Sequence, residues 1–385
     1  MKHILFPLAF ACSLSAQPHP DLNYSQWPNG PASETSFFPI AVWLQSPANA
    51  ARYRVAGFNT YIALWHGPTE AQLSELRKAG MRLICEQNRV ALDHLADPTI
   101  IGWMHGDEPD NAQSLGDGKG YGPPVAPEKI VKDYERLRTA DPSRPVMLNL
   151  GQGVAWDGWY GRGSRSRHPE DYPLYLKGCD IVSFDIYPAV HDSPEVAGKL
   201  WFVAQGVERL VRWSEGKKIV WNCVECTRIS NPDRKPTLHE VRSEVWMSLI
   251  HGSRGLIYFV HQFKPSFREA ALLDDSEMLE GITALNRQIT RLAPVLNGPS
   301  VNDAITLRPE NSTVPVAFTV RHHEGATWIF AVSMREGETT AEFSLKDEID
   351  SKSVEVLDEN RSIPIQARGF KDRFGSWDVH LYRLK

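Results

Sequence analysis

The residues best placed to do chemistry stand where short apolar runs end. Residues 100–111 read I-I-G-W-M-H-G-D-E-P-D-N, so the run breaks at Gly106 and two carboxylates, Asp107 and Glu108, follow at once. Pro109 then stops the strand, because proline has no N–H for a ladder and fixes φ. A third carboxylate, Asp185, sits in D-I-Y-P with Tyr187, and a fourth, Glu225, closes the run V-W-N-C-V-E. Other run ends carry Trp43, Trp65, Glu86, Asn149, Tyr258 and His261. Paired carboxylates facing each other across a cleft supply a general acid together with a base or nucleophile. The bland alternative for each is a capping or solvated acid at a turn.

The elements that must hold these residues follow from the alternation of the chain. Apolar runs at 38–44, 58–65, 81–86, 100–106, 145–150, 180–187, 218–225 and 255–261 are separated by amphipathic stretches. Those at 47–57, 68–79, 89–96, 127–139, 196–214, 238–251 and 278–296 read as helices. Strands alternating with helices imply right-handed crossovers and a parallel sheet. Eight units over 36–298 predict an α/β fold of the (β/α)8 barrel type, with the site at the C-terminal ends of the strands. A doubly wound open sheet would carry a glycine-rich phosphate turn after its first strand, where this chain has Trp43-Leu44-Gln45-Ser46. After Gly298 short alternating runs and turn signals predict a small antiparallel β-sandwich over 299–385.

That placement narrows the chemistry. A Schiff-base enzyme needs a lysine at a strand's C-terminal end, but Lys217 and Lys218 begin the seventh run. A barrel metallohydrolase offers clustered histidines, whereas His66, His105 and His261 are scattered. No metal site and no cofactor is expected. Two carboxylates across an aromatic-rich cleft remain, which is what glycosidic-bond cleavage requires.

At these positions the chain resembles the glycoside hydrolases of clan A. Gly-Asp-Glu-Pro at 106–109 looks like the clan's fourth-strand motif, the run ending at Glu225 looks like its seventh-strand end, and Asp185-Ile186-Tyr187-Pro188 is similar to its sixth-strand segment. The resemblance implies a retaining enzyme with Glu108 as acid/base and Glu225 as nucleophile. It assigns sugar contacts to the rim formed by Asp107, Asp185, Tyr187, Trp43, Trp65, Glu86, Asn149, Tyr258 and His261. Where the clan has Asn before the acid/base, this chain has Asp107, whose charge would raise the pKa of Glu108. Three alternatives stay open: an inverting pair of Glu108 with Asp185, a carbohydrate-binding barrel without turnover, and a lyase or isomerase using Glu86, Asp185 and His261.

The remaining features set the context. A net charge of −5 gives no electrostatic reason to expect nucleic acid or an anionic membrane. Residues 1–16 read as an export signal: Lys2 and His3 precede an apolar stretch, and small residues lead to Ala16. Export to the periplasm or beyond is therefore expected, with cleavage near Ala16, a lead-in over 17–35, and an oligosaccharide or polysaccharide as partner. No membrane insertion is expected. Cys223 and Cys226 form a C-x-x-C that predicts buried thiols, with a disulfide the alternative. The long loop 151–173 carries Trp156, Trp159 and Tyr160 as possible stacking platforms; its Arg162, Arg165 and Arg167 read as solvated charge or as a grip on an acidic sugar.

Overall fold

The computed structural model describes residues 22–347 and 351–385; the expected export segment and Cys12 lie outside them. Eight parallel strands form the barrel: β1 (Ile40–Trp43), β2 (Thr60–Ile62), β3 (Arg82–Cys85), β4 (Ile100–Met104), β5 (Val146–Leu150), β6 (Ile181–Phe184), β7 in two pieces (Ile219–Val220 and Asn222–Glu225) and β8 (Leu256–Phe259). Neighbours pair in chain order, and β8 returns to β1. The two pieces of β7 close the ring, the first pairing with β6 and the second with β8. The expected (β/α)8 barrel is the fold observed.

Period-two alternation decides what each strand buries. Ala41, Ile62, Ile84, Ile101, Met147, Ile181, Cys223 and Ile257 fill the barrel interior. Val42, Tyr61, Leu83, Leu148, Val182, Val224 and Tyr258 face the surrounding helices. The break in β7 falls at Trp221, whose indole packs inside the barrel and donates to the Tyr24 hydroxyl at 2.9 Å. Tyr24 in turn donates to the Arg254 carbonyl at 3.1 Å. The lead-in thus stoppers the N-terminal end of the barrel, which leaves the opposite mouth as the open one.

The helices are α1 (Ala50–Val55), α2 (Glu70–Lys78), α3 (Arg89–Asp93), α4 (Pro127–Ala140), α5 (Tyr172–Tyr175), α6 (Trp201–Trp213), α7 (Leu238–Ile250) and α8 (Ser276–Leu296). Seven follow the sequence reading; α5 is a single turn inside the long loop, too short to show a 3.6-residue period. Capping boxes start α2 at Thr69 and α7 at Thr237, each satisfying two backbone donors reciprocally.

The C-terminal region is the expected β-sandwich. Its strands are β9 (Ile305–Pro309), β10 (Val316–His323), β11 (Ala326–Ser333), β12 (Thr339–Leu345), β13 (Ser353–Val356), β14 (Arg361–Pro364), β15 (Gly369–Phe374) and β16 (Val379–Leu384). They form antiparallel sheets in the orders β9-β12-β15 and β10-β11-β16-β13-β14. Phe343 stacks on Phe370 at 4.6 Å in the core between the sheets.

Candidate active site

Three carboxyl groups meet at the open mouth. Asp107 and Glu108 follow β4, and Asp185 follows β6 one strand beyond β5. Asn149 on β5 joins them. Its carbonyl accepts from the Ser183 hydroxyl at 2.6 Å, which fixes the amide, and its nitrogen donates to Asp107 at 2.9 Å and to Asp185 at 2.7 Å. Tyr187 donates to the other oxygen of Asp185 at 2.7 Å. Asn111 donates to Glu108 at 2.8 Å and accepts from the Trp159 indole at 2.8 Å, so the long loop braces the acid. Glu108 has a left-handed backbone, φ 41°, as do Leu44 and Ala63 after β1 and β2. Such conformations in non-glycine residues cost energy and gather at functional ends of folds.

The electrostatics separate the three acids. Burial and the neighbouring charges of Asp185, Asp107 and Asp110 hold the Glu108 pKa well above the ordinary glutamate range. Burial in the mouth and repulsion from Asp185 push Asp107 up to about 7, against the Asn149 hydrogen bond. Asp107 still presents an open face to the cleft. Burial also raises Asp185, but its largest opposing influences are the donors Asn149 and Tyr187, which favour the carboxylate. Glu108 is therefore held toward its protonated form, and Asp185 is the acid whose donors favour the charge. The sequence expectation that Asp107 would raise Glu108 has its physical counterpart, although burial is the larger cause.

Glu225 does not join this cluster, and the expectation that it attacks substrate is corrected. It is 0 % exposed, and its two oxygens accept from the backbone N–H groups of Ala189 and Val190 at 2.6 and 3.0 Å. The third neighbour is Glu244 of α7, so the carboxyl lies between the strand end, the turn after β6 and the helix. Burial raises Glu225 to about 8 and Glu244 well above its usual range, which favours one proton held between the two carboxyls. Alternation does put Glu225 in line with Cys223, but at the last residue of β7 two free amides draw the carboxylate away from the mouth. Tyr258 is corrected as well: it points outward from β8 and packs edge-on against Phe58 at 5.3 Å.

The remaining expected contacts divide. Trp43, Trp65, Asp107 and His261 line one cavity of about 710 Å³ at the mouth, with Phe259, Phe263 and Phe267. Glu86 is exposed above β3 and does not line it. Arg162 and Arg165 both bind Asp171, Arg162 from a buried position over the Tyr172 ring. They order the long loop from within. Cys223 and Cys226 are free buried thiols, one in the barrel interior and one against the helices, which no disulfide could join. Asn111 and the phenylalanines after β8 were not singled out as site residues. The paired aromatics of H-Q-F-K-P-S-F, just past a strand end, were the signal available for the latter. Among the described residues no cluster of three or more potential ligands could hold a metal ion, and no helix is long and apolar enough to cross a membrane.

No known family's sequence profile matches the chain, and no curated protein matches it by sequence. Solved structures do share its fold. A putative α-galactosidase/melibiase from Bacteroides fragilis superposes with a TM-score of 0.55 at 10% identity, over 91% of this chain and 80% of that one. AmyP in complex with maltose gives 0.53 at 8% identity, over 92% and 97%. The α-amylase of Geobacillus thermoleovorans, complexed with acarbose, gives 0.52 at 9% identity, over 91% and 98%. The likeness is one of architecture, and it spans nearly the whole chain.

Proposed function

We propose that the protein is an exported glycoside hydrolase in which Glu108 donates the proton to the leaving oxygen and Asp185 supplies the second carboxylate. The observation that carries this reading is the unequal environment of two neighbouring acids. Glu108 is kept protonated by burial and like charge, while Asp185 is steadied as an anion by Asn149 and Tyr187. Asp107 is the acid that reaches furthest into the cleft, where it accepts from a substrate hydroxyl. The sugar complexes of two fold relatives support a carbohydrate substrate. Export rests on the composition of residues 1–16.

The test is hydrolysis of aryl glycosides by wild type, Glu108→Gln, Asp185→Asn and Glu225→Gln. The first two substitutions are expected to lower kcat/KM by about 10²–10⁴-fold, with Glu108→Gln losing least on the best leaving groups. Glu225→Gln is expected to stay within a few-fold of wild type. Proton NMR of the first-formed anomer reads the role of Asp185: inversion if it activates water, retention if it attacks directly. A wild type that binds sugars but hydrolyses none, or a Glu225→Gln variant as inactive as Glu108→Gln, rejects the assignment.

A further inference from the structure

The cavity beside Asp107 is poorly equipped to read the hydroxyls of a sugar. Its walls are the indoles of Trp43 and Trp65 and the rings of Phe259, Phe263 and Phe267. The polar side chains that line it are largely committed to the protein itself. Gln45 accepts from the Tyr53 hydroxyl at 2.6 Å and donates to the Glu269 carbonyl at 2.9 Å. The Glu269 carboxylate accepts from the Ser46 amide at 2.6 Å. Gln72 closes the α2 capping box and donates to the Trp65 carbonyl at 3.0 Å. A pyranose ring stacks on an aromatic face, but its equatorial hydroxyls then need partners around the edge, and losing water without them is costly.

One polar atom is left without a partner. His261 is buried and neutral, since burial lowers its pKa, and its ring lies on the cavity wall beside the rings of Phe263 and Phe267, at 6.3 and 6.0 Å, which are 5.7 Å from each other. Its Nε2 has two neighbours within the protein, the Gln45 amide nitrogen at 3.1 Å and the Leu44 carbonyl at 3.2 Å. Its Nδ1 is buried and has no hydrogen-bond partner. On the same cavity, Phe263 and Phe267 stand 45% and 62% exposed, and Trp65 is 69% exposed. A cost of this kind is recovered when a flat apolar group slides in against the rings and offers the imidazole a single polar partner.

We propose that this cavity holds the aromatic aglycone of the substrate, so that the protein acts on aryl, phenol-derived glycosides. The inference rests on the glycosidase reading for the word substrate, and on the cavity alone for the binding of the ring. The aglycone ring lies between Trp65 and the Phe263/Phe267 pair, with one oxygen hydrogen-bonded to His261 Nδ1, and the glycosidic bond reaches the carboxylates by way of Asp107.

The test uses 4-nitrophenol and, in parallel, maltose as probes in calorimetric titrations of the mature protein, its Phe263→Ala/Phe267→Ala variant and its His261→Ala variant. The phenylalanines are exposed, so their truncation leaves the core intact, and thermal melts verify this. Wild type is expected to bind 4-nitrophenol, with affinity at least tenfold lower in the double variant and several-fold lower in His261→Ala, while maltose binding is unchanged in the double variant or absent throughout. Phenol binding that ignores both variants, binding of maltose that the double variant destroys, or no phenol binding at all overturns the proposal. Kinetics separate it from the glycosidase reading. Hydrolysis that shows no preference for aryl over alkyl glycosides sinks the aglycone site and leaves the enzyme. Phenol binding without hydrolysis of any glycoside keeps the site and sinks the enzyme.

Discussion

Proton placement at single residues decides what the mouth of the barrel can do. Asp107 and Glu108 are adjacent in sequence, and the charge of Asp107 raises Glu108. A general acid works only while protonated, so activity should fall as pH climbs through the Glu108 pKa. Asp107→Asn removes one negative neighbour while keeping an acceptor for Asn149. It should lower the Glu108 pKa and move the alkaline limb of kcat/KM to lower pH, alongside a loss in kcat; an unmoved limb would show that the two acids are not coupled. The Glu225–Glu244 pair tests the same physics away from the site. A carboxyl whose folded pKa is raised contributes fully below its unfolded value and loses that contribution as pH rises through the folded one. Glu225 reaches about 8, so the pair weakens the fold from mildly acidic pH upward, until the shared proton is gone. Glu244→Gln supplies a permanent donor to Glu225 in place of that proton. Its Tm should match wild type near about pH 5 and exceed it by about 1 °C near about pH 9, on the order of 1 kcal/mol. A variant less stable than wild type at alkaline pH would rule out a shared proton.

Elements were more legible in the sequence than the atoms they carry. Strand and helix periods fix which residues face inward, and that reading located the barrel, the mouth and the acids after β4 and β6. It failed at Glu225 because alternation specifies a strand's interior, not what a terminal carboxylate does when the turn after β6 offers two unpaired amides. Tyr258 was misassigned by one residue of register, which in a strand is the difference between mouth and helix layer. The close approach of α6 to β6 was equally invisible. Gly206 has no side chain where an alanine Cβ would stand 2.2 Å from the Phe184 ring, so the helix can lie directly on the strand that ends at Asp185. By helix propensity alone Gly206→Ala should stabilise by about 1 kcal/mol. Overpacking outweighs that, and the variant should lose about 1–3 kcal/mol of stability in denaturant unfolding; a variant as stable as wild type would mean that α6 is free to move off the sheet.

For the molecule as a whole, α7 is the element that unites the two halves. Ten of its residues are buried, more than a helix with one solvent face allows, because barrel strands cover one side and the β-sandwich the other. Toward the barrel, Asn222 donates to Ser248 at 2.8 Å and Glu244 meets Glu225. Toward the sandwich, Ser243 donates to the Trp377 carbonyl at 2.6 Å, Arg242 to the Val379 carbonyl at 2.9 Å, and Trp246 packs on Phe330 at 5.1 Å. The same helix therefore sets the floor of β7 and the seat of the sandwich, and neither half can lose it without exposing apolar surface. The sandwich then serves the barrel as a structural cover, and the two should melt together. Trp246→Ala removes a fully buried ring at that junction and should cost about 3–5 kcal/mol. Near-ultraviolet and far-ultraviolet circular dichroism should still report one coincident transition at lower temperature, because the junction is shared and not a hinge. Two separated transitions in the variant, or in wild type, would show that the sandwich folds by itself and that its contacts with α7 are incidental to the barrel.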